Sequence, residues 1–164
     1  MLYVVTGPES CGKSTLSQAL GERFGVPVIP EAARHYLVSQ RYESSDLLAI
    51  AGLQSEWERI DYRDFAVADT DLQVIYIWWQ ERFGPAPSAL AQAYAEQSLR
   101  HYLLCAPDLD WQDDPLRESP DDRERLFRLY EEDLRRRGLG YDVIRGVGQE
   151  RTLQAIACLE THMG

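Results

Sequence analysis

The chain has little cysteine: three residues in 164, at Cys11, Cys105 and Cys158. They form no CxxC pair and no Cys/His cluster, which argues against a disulfide framework and against a zinc site. The odd count and wide spacing suit a reducing compartment, so a cytoplasmic location is expected. Long apolar runs are missing too. None approaches the roughly 20 residues of a membrane-spanning helix, so no membrane partner is expected. Met1 leads straight into Leu2–Thr6, without the charged and apolar regions of a secretory signal. Positive charge is scarce: 17 Lys and Arg face 27 Asp and Glu, for a net charge of -10. Such a surface repels phosphate backbones, so DNA and RNA are not expected as partners. A nucleotide is still allowed, because one small pocket can be basic inside an acidic molecule.

What is present fits one globular domain over residues 1–164, with 45% hydrophobic and 27% charged residues. Leu2–Thr6 is a short apolar, β-branched run, and reads as a strand buried on both faces. Helical spacing follows over 14–24, ended by Gly25 and Pro27. Further strands are expected at 26–29, 65–68, 101–105 and 141–144. Helices are expected at 31–42, 46–63, 72–83, 87–100 and 148–162. The loop 106–119 is rich in Pro and Asp. Ser119, Pro120 and Asp122 carry the signature of a helix start, and Arg135–Arg137 with Gly138 mark its end. Residues 106–137 together read as a lid. Alternating strands and helices imply an α/β fold, a parallel sheet covered on both faces.

Gly7-Pro8-Glu9-Ser10-Cys11-Gly12-Lys13-Ser14 fits G-x-x-x-x-G-K-[ST], between a strand and a helix. Such a loop turns its N–H groups on a phosphate, and the helix adds the positive end of its dipole. ATP with Mg2+ is the expected cofactor. Gly7, Glu9, Ser10, Cys11 and Gly12 form its cradle. Lys13 reaches the β- and γ-phosphates, Ser14 ligates the metal, and Thr15 neighbours the α-phosphate.

Ligands of open α/β sheets gather at the carboxyl ends of the strands. Asp69 falls there and is expected to organise Mg2+ through water, as a metal-site and catalytic acid. Glu31 is placed either to take a proton from an acceptor hydroxyl or merely to cap a helix. Asp71 either binds an acceptor hydroxyl, the slightly favoured reading, or caps the next helix. Arg34 pairs with one of these acids or sits in solvent. Arg117 and Arg123, nearest the loop–helix junction, are expected to neutralise charge on the transferring phosphoryl group; the alternative is an exposed charged helix. Trp78, Trp79, Tyr76, Trp57 and Tyr36 are core residues by default, with Trp78 and Tyr36 the candidates to hold a flat heterocycle, which a positive charge on the ring would bind more tightly.

The segments GPESCGKSTL, PEAARHYL, DTDL and PDLDWQDDPLRESPDDRERLF together resemble the ribosylnicotinamide kinase domain of bifunctional NAD-salvage regulators. The resemblance runs over nearly the whole chain. It implies a three-layer P-loop nucleoside-kinase fold, with a five-stranded parallel sheet in the order 2-3-1-4-5 and a helical lid. It implies phosphorylation of the 5′-hydroxyl of nicotinamide riboside, with Glu31, Arg34, Asp69 and Asp71 at the matching motif positions and Arg117 in the lid. The segment 146–151 resembles the loop that holds adenine in such kinases, with Arg151 along the ring. Two departures stand out. Pro30 occupies a position where that family tends to carry an aromatic residue, and 164 residues leave no space for the adenylyltransferase domain. Three functions are compatible with these residues: a nicotinamide riboside kinase, a kinase for another nucleoside or small metabolite, and a nucleotide-binding regulatory ATPase.

Overall fold

The computed structural model describes residues 1–37, 41–114, 117 and 120–164. Among the described residues there are five strands: β1 (Leu2–Thr6), β2 (Val28–Ile29), β3 (Ala66–Asp69), β4 (Arg100–Cys105) and β5 (Tyr141–Ile144). All neighbours pair in parallel, in the order β2-β3-β1-β4-β5. Seven helices accompany them among the described residues: α1 (Lys13–Phe24), α2 (Ala32–Tyr36), α3 (Ser44–Trp57), α4 (Leu72–Phe83), α5 (Ser88–Ala95), α6 (Arg123–Arg137) and α7 (Gly148–Met163).

The two-residue period of a strand sorts β1 onto two cores. Leu2 and Val4 join Tyr102, Leu104, Phe127 and Leu134 on one face. Tyr3 and Val5 join Leu16, Leu20, Leu103 and Leu159 on the other. Helices α1 and α7 therefore cover the second face, and α6 covers the first. A third cluster, including Ala32, Leu47, Ile50, Leu72 and Trp79, binds α2, α3, α4 and α5 together. Parallel strands put all their carboxyl ends on one edge, where the loops after β1, β2, β3 and β4 meet.

Several expected boundaries move. The second strand shrinks to Val28–Ile29, and α2 ends at Tyr36. The helix expected at 46–63 begins at Ser44 and stops at Trp57. Its cap is Glu43, whose backbone N–H donates to the Asp46 carboxylate at 2.7 Å in a capping box. The expected cap at Ser119 lies outside the described residues. Helix α6 is instead preceded by Asp122, whose carboxylate accepts from Arg125 rather than from the helix backbone. The expected lid also divides. Phe127, Tyr130 and Leu134 bury α6 in the core, so the covering segment is the loop after β4.

Candidate functional site

The turn after β1 folds as its glycines dictate. Gly7 has φ 131°, and a Cβ there would lie 2.7 Å from the Cys105 carbonyl. Gly12 has φ 76°, and its Cβ would meet the Leu109 side chain at 2.7 Å. Gly7 is thus closed to larger residues by conformation and by space, and Gly12 by its conformation, since the tip of the Leu109 side chain can shift. Between them Ser10 takes φ 53°. The result is a loop at the N-terminus of α1, the arrangement that concentrates backbone donors and dipole on an anion.

Lys13 Nζ donates to the Pro8 carbonyl at 2.7 Å, so its ammonium spans the loop. Burial alone would lower its pKa, but Cys11, Glu31 and Asp69 outweigh burial and raise it. The lysine is held cationic. Pro8 O also accepts from the Cys11 thiol at 2.9 Å, which ties that buried side chain into the loop.

Asp69 and Asp71 diverge because Thr70 between them takes φ 69°, a left-handed conformation rare for a β-branched residue. Asp69 ends β3 beside the phosphate loop. Burial pushes its carboxyl up; the Ser14 side chain, Lys13 and Arg34 pull it back. Its Oδ1 is buried and has no hydrogen-bond partner among the described residues. A buried carboxylate oxygen left over next to a hydroxyl suits a hydrated divalent cation, so Ser14 and Asp69 fit Mg2+.

Glu31 precedes α2, yet its side chain makes no cap hydrogen bond. The backbone N–H of Ala32 is instead taken by Gln54 Oε1 at 3.0 Å. The Glu31 carboxylate thus remains available to the cavity. Desolvation raises its pKa, Lys13 opposes this, and Asp69 adds to it. Arg34 Nε donates to Glu31 Oε2 at 3.0 Å, and Arg34 Nη1 reaches Asp114 Oδ2 at 2.8 Å.

The loop after β4 lies across the phosphate loop. The Gln112 N–H donates to Ser10 Oγ at 2.9 Å, and Arg117 Nη1 approaches the same oxygen at 3.4 Å. These parts enclose a cavity of about 970 Å³. One end is formed by Gly7–Leu16 with Val147, Gly148, Arg151 and Thr152, the other by Glu31, Arg34, Trp78 and Glu81. The volume lies at the upper end of the range for small-ligand sites.

Residues 2–151 match the model of a family described as an AAA domain. The chain belongs to that family. No curated protein sequence matches it. Among solved structures, this AAA domain is similar to NadR in complex with NAD and AMP-PNP, with a TM-score of 0.76 at 17% identity over 98% of this chain. The match covers 48% of the NadR chain, so the present chain spans about half its length. It is also similar to deoxyadenosine kinase from M. mycoides with bound dATP (TM-score 0.67, 14% identity, 98% of this chain and 99% of that one). A third is thymidylate kinase from Ehrlichia chaffeensis (TM-score 0.65, 15% identity, 97% of this chain and 98% of that one). These likenesses are likenesses of fold.

Within this AAA domain the residues singled out from sequence separate into two groups. Gly7, Glu9, Ser10, Cys11, Gly12, Lys13, Ser14 and Thr15 line the cavity, as do Glu31, Arg34, Trp78, Arg117 and Arg151. The other four do not line it. Asp71 is fully buried: Oδ1 caps α4 through the Gln73 N–H at 2.9 Å, and Oδ2 accepts from Arg100 at 3.0 Å and Tyr102 at 2.8 Å. With both oxygens engaged in the core, it is a structural acid and not an acceptor ligand. Tyr36 is 43% exposed, and its hydroxyl turns to Asp46. Arg123 Nη1 donates to the carbonyls of Leu109 at 2.7 Å and Ser10 at 3.2 Å, so it joins two loops instead of facing a phosphoryl group. Asp69 lies behind Ser14 and Lys13, a position suited to a water-mediated role.

Arg151 is corrected in part. It lines the cavity, but its guanidinium is committed to the carbonyls of Cys11, Ala106 and Gly146, which leaves it poorly placed to lie along a ring.

Helix α4 supplies a wall of which the sequence reading caught only Trp78. Val74, Ile77, Trp78 and Glu81 recur at helical spacing and all face the cavity. The signal was there in the spacing, but three of the four are apolar and read equally well as core.

Proposed function

We propose that the chain is an ATP- and Mg2+-dependent kinase that phosphorylates the 5′-hydroxyl of nicotinamide riboside. The observation that carries transfer to an acceptor is the uncapped Glu31 carboxylate, facing the cavity across from Lys13. A carboxyl raised by burial is a better base than an exposed one, and Glu31 lines the same cavity as Lys13, which supports this reading.

In this reading the phosphate loop and Lys13 hold the triphosphate, and Arg117 reaches the same end of the cavity from the covering loop. Ser14 and Asp69 would hold Mg2+, which supplies charge neutralisation on the phosphates. Glu31 aligns the acceptor hydroxyl and accepts its proton as the oxygen–phosphorus bond forms and the bond to ADP breaks. Arg34 fixes the Glu31 carboxylate in place. Positioning and electrostatics account for most of the acceleration.

The nicotinamide ring of the riboside is a fixed cation. Trp78 offers a π face on the α4 wall, which favours a cationic heterocycle, and Glu81, ion-paired with Arg125, adds a carboxylate to the same wall. The fold likeness to NadR, solved in complex with nicotinamide riboside, supports this choice. The full-length likeness to deoxyadenosine kinase favours a second acceptor class, the deoxynucleosides, on the same machinery.

Purified protein supplied with MgATP is expected to form nicotinamide mononucleotide, and the Lys13→Ala variant is not. Equal rates in the two proteins would remove the kinase reading. A deoxynucleoside outcompeting nicotinamide riboside would keep the kinase and change its acceptor.

A further inference from the structure

We propose that His101, Asp142 and His162 form a binding site for a divalent transition-metal ion of the zinc class, at the opposite edge of the sheet from the nucleotide cavity. The site stands independently of the phosphoryl-transfer reading.

Topology assembles the three residues. The strands are parallel, so the amino ends of β4 and β5 lie side by side on the edge away from the phosphate loop. His101 is the second residue of β4 and Asp142 the second of β5. Register places His101 opposite Tyr3 and Asp142 opposite Leu103. Tyr3 and Leu103 belong to the face covered by α1 and α7. Helix α7 starts at the cavity, where Gly148 and Arg151 line it, and runs back down the sheet. Its last turn therefore brings His162 to the same edge.

The distances suit one ion. His101 Nε2 lies 2.9 Å from Asp142 Oδ2, and His162 Nε2 lies 3.5 Å from that oxygen. One ligand atom from each residue falls within a set no more than 4.8 Å across. Tetrahedral bonds of about 2.0–2.1 Å place neighbouring ligand atoms roughly 3.3 Å apart, within the spread seen here. Two imidazoles and a carboxylate are a borderline donor set that suits zinc over magnesium or calcium.

Two further features hold the histidines in this arrangement. A Cβ on Gly140 would lie 2.9 Å from His101 Nδ1, so the glycine makes space for the ring on the side away from Asp142. Tyr3 lies parallel to the His162 ring, at an interplanar angle of 1° and 6.2 Å between centroids. Side-chain exposures of 18% for His101, 32% for His162 and 36% for Asp142 leave an entry path and a place for water as a fourth ligand. Cys158 sits one turn before His162 on α7, where burial first and then the nearby charge of Asp142 raise its thiol. It is outside the three-atom cluster and is not required as a ligand.

The test is a calorimetric titration of zinc chloride into the full chain, without a polyhistidine tag, nucleotide or magnesium. One zinc per chain is expected. His162→Ala and His101→Ala are each expected to weaken binding by at least ~10-fold, the lower bound for losing even an outer-shell partner. Cys158→Ser and Asp69→Asn should leave it intact. His162→Gln, which keeps bulk and a hydrogen-bonding group in the last turn, serves if the alanine variant fails to fold. Cobalt(II) should give the visible bands of a four-coordinate ion in the parent protein and not in the His162 variants. Absence of saturable binding overturns the proposal. So does binding that survives the His162 changes, or that depends on Asp69 or Cys158 instead.

Discussion

Arg34 Nε donates to Glu31 Oε2 at 3.0 Å, and the same guanidinium reaches across to Asp114 on the covering loop. The proposed base and the cover over the site therefore share one cation. Glu31→Gln keeps the shape and removes the base, so transfer is expected to fall by roughly 10²–10⁴-fold with ATP affinity unchanged. The pH profile gives a second reading. Burial holds the Glu31 carboxyl above its ordinary 4.5, so its basic form appears only at higher pH. The acid limb of kcat/KM should lie above pH 4.5, and Glu31→Gln should remove it.

Asp69 should reveal itself through magnesium. Asp69→Asn is expected to weaken binding of the magnesium–nucleotide complex by roughly 10–100-fold, as for loss of an outer-shell partner. Nucleotide binding in the presence of a chelator should change little. Equal losses with and without magnesium, in a titration of a fluorescent ATP analogue, would show that Asp69 acts on the fold instead.

Lys13 is the only lysine in the chain. An amine-reactive ATP analogue is therefore expected to label one internal site, mapped by peptide mass, and excess ATP should block it. Labelling that ATP leaves unchanged would place the triphosphate elsewhere.

Away from the cavity, Arg100 Nη1 serves two acids at once, Glu58 Oε2 and Asp71 Oδ2, each at 3.0 Å. Burial, then the charge of Asp71, push the Glu58 carboxyl up to about 7 from an ordinary 4.5, against the pull of Arg100. The unfolded chain releases this proton near 4.5 and the folded chain near 7. The stability it contributes is therefore full below the lower value and lost as pH rises to the upper one. Urea denaturation should show a fall on the order of 1–3 kcal/mol across that window, and Glu58→Gln should diminish it.

Much of this was legible in the sequence because local chemistry overrode everything else. Gly7 and Gly12 bracket a turn that only they can make, and Leu2–Thr6 is apolar at every position before Thr6. Strand-to-helix alternation led to the parallel sheet, and the resemblance to its strand order. Asp71 misled because a carboxylate two residues past a strand end looks the same whether it faces cavity or core. The direction was set by the left-handed Thr70, which no residue pattern announces. Arg123 misled for a similar reason: a guanidinium at a loop–helix junction serves a carbonyl as readily as a phosphate. His101, Asp142 and His162 were invisible as a group because only strand pairing and the return of the last helix bring them together.

Arg151 binds the carbonyls of Cys11, Ala106 and Gly146, with its guanidinium buried. Arg151→Ala strands three acceptors and should lower stability by roughly 3 kcal/mol or more, read from thermal melts.

That single side chain also makes the C-terminal helix, the end of the fourth strand and the phosphate loop one mechanical unit. Warming that loosens the helix slackens the grip on the triphosphate at the same moment. Nucleotide affinity should therefore decline in step with helical content on heating, and bound nucleotide should in turn stiffen a helix most of whose length it never touches.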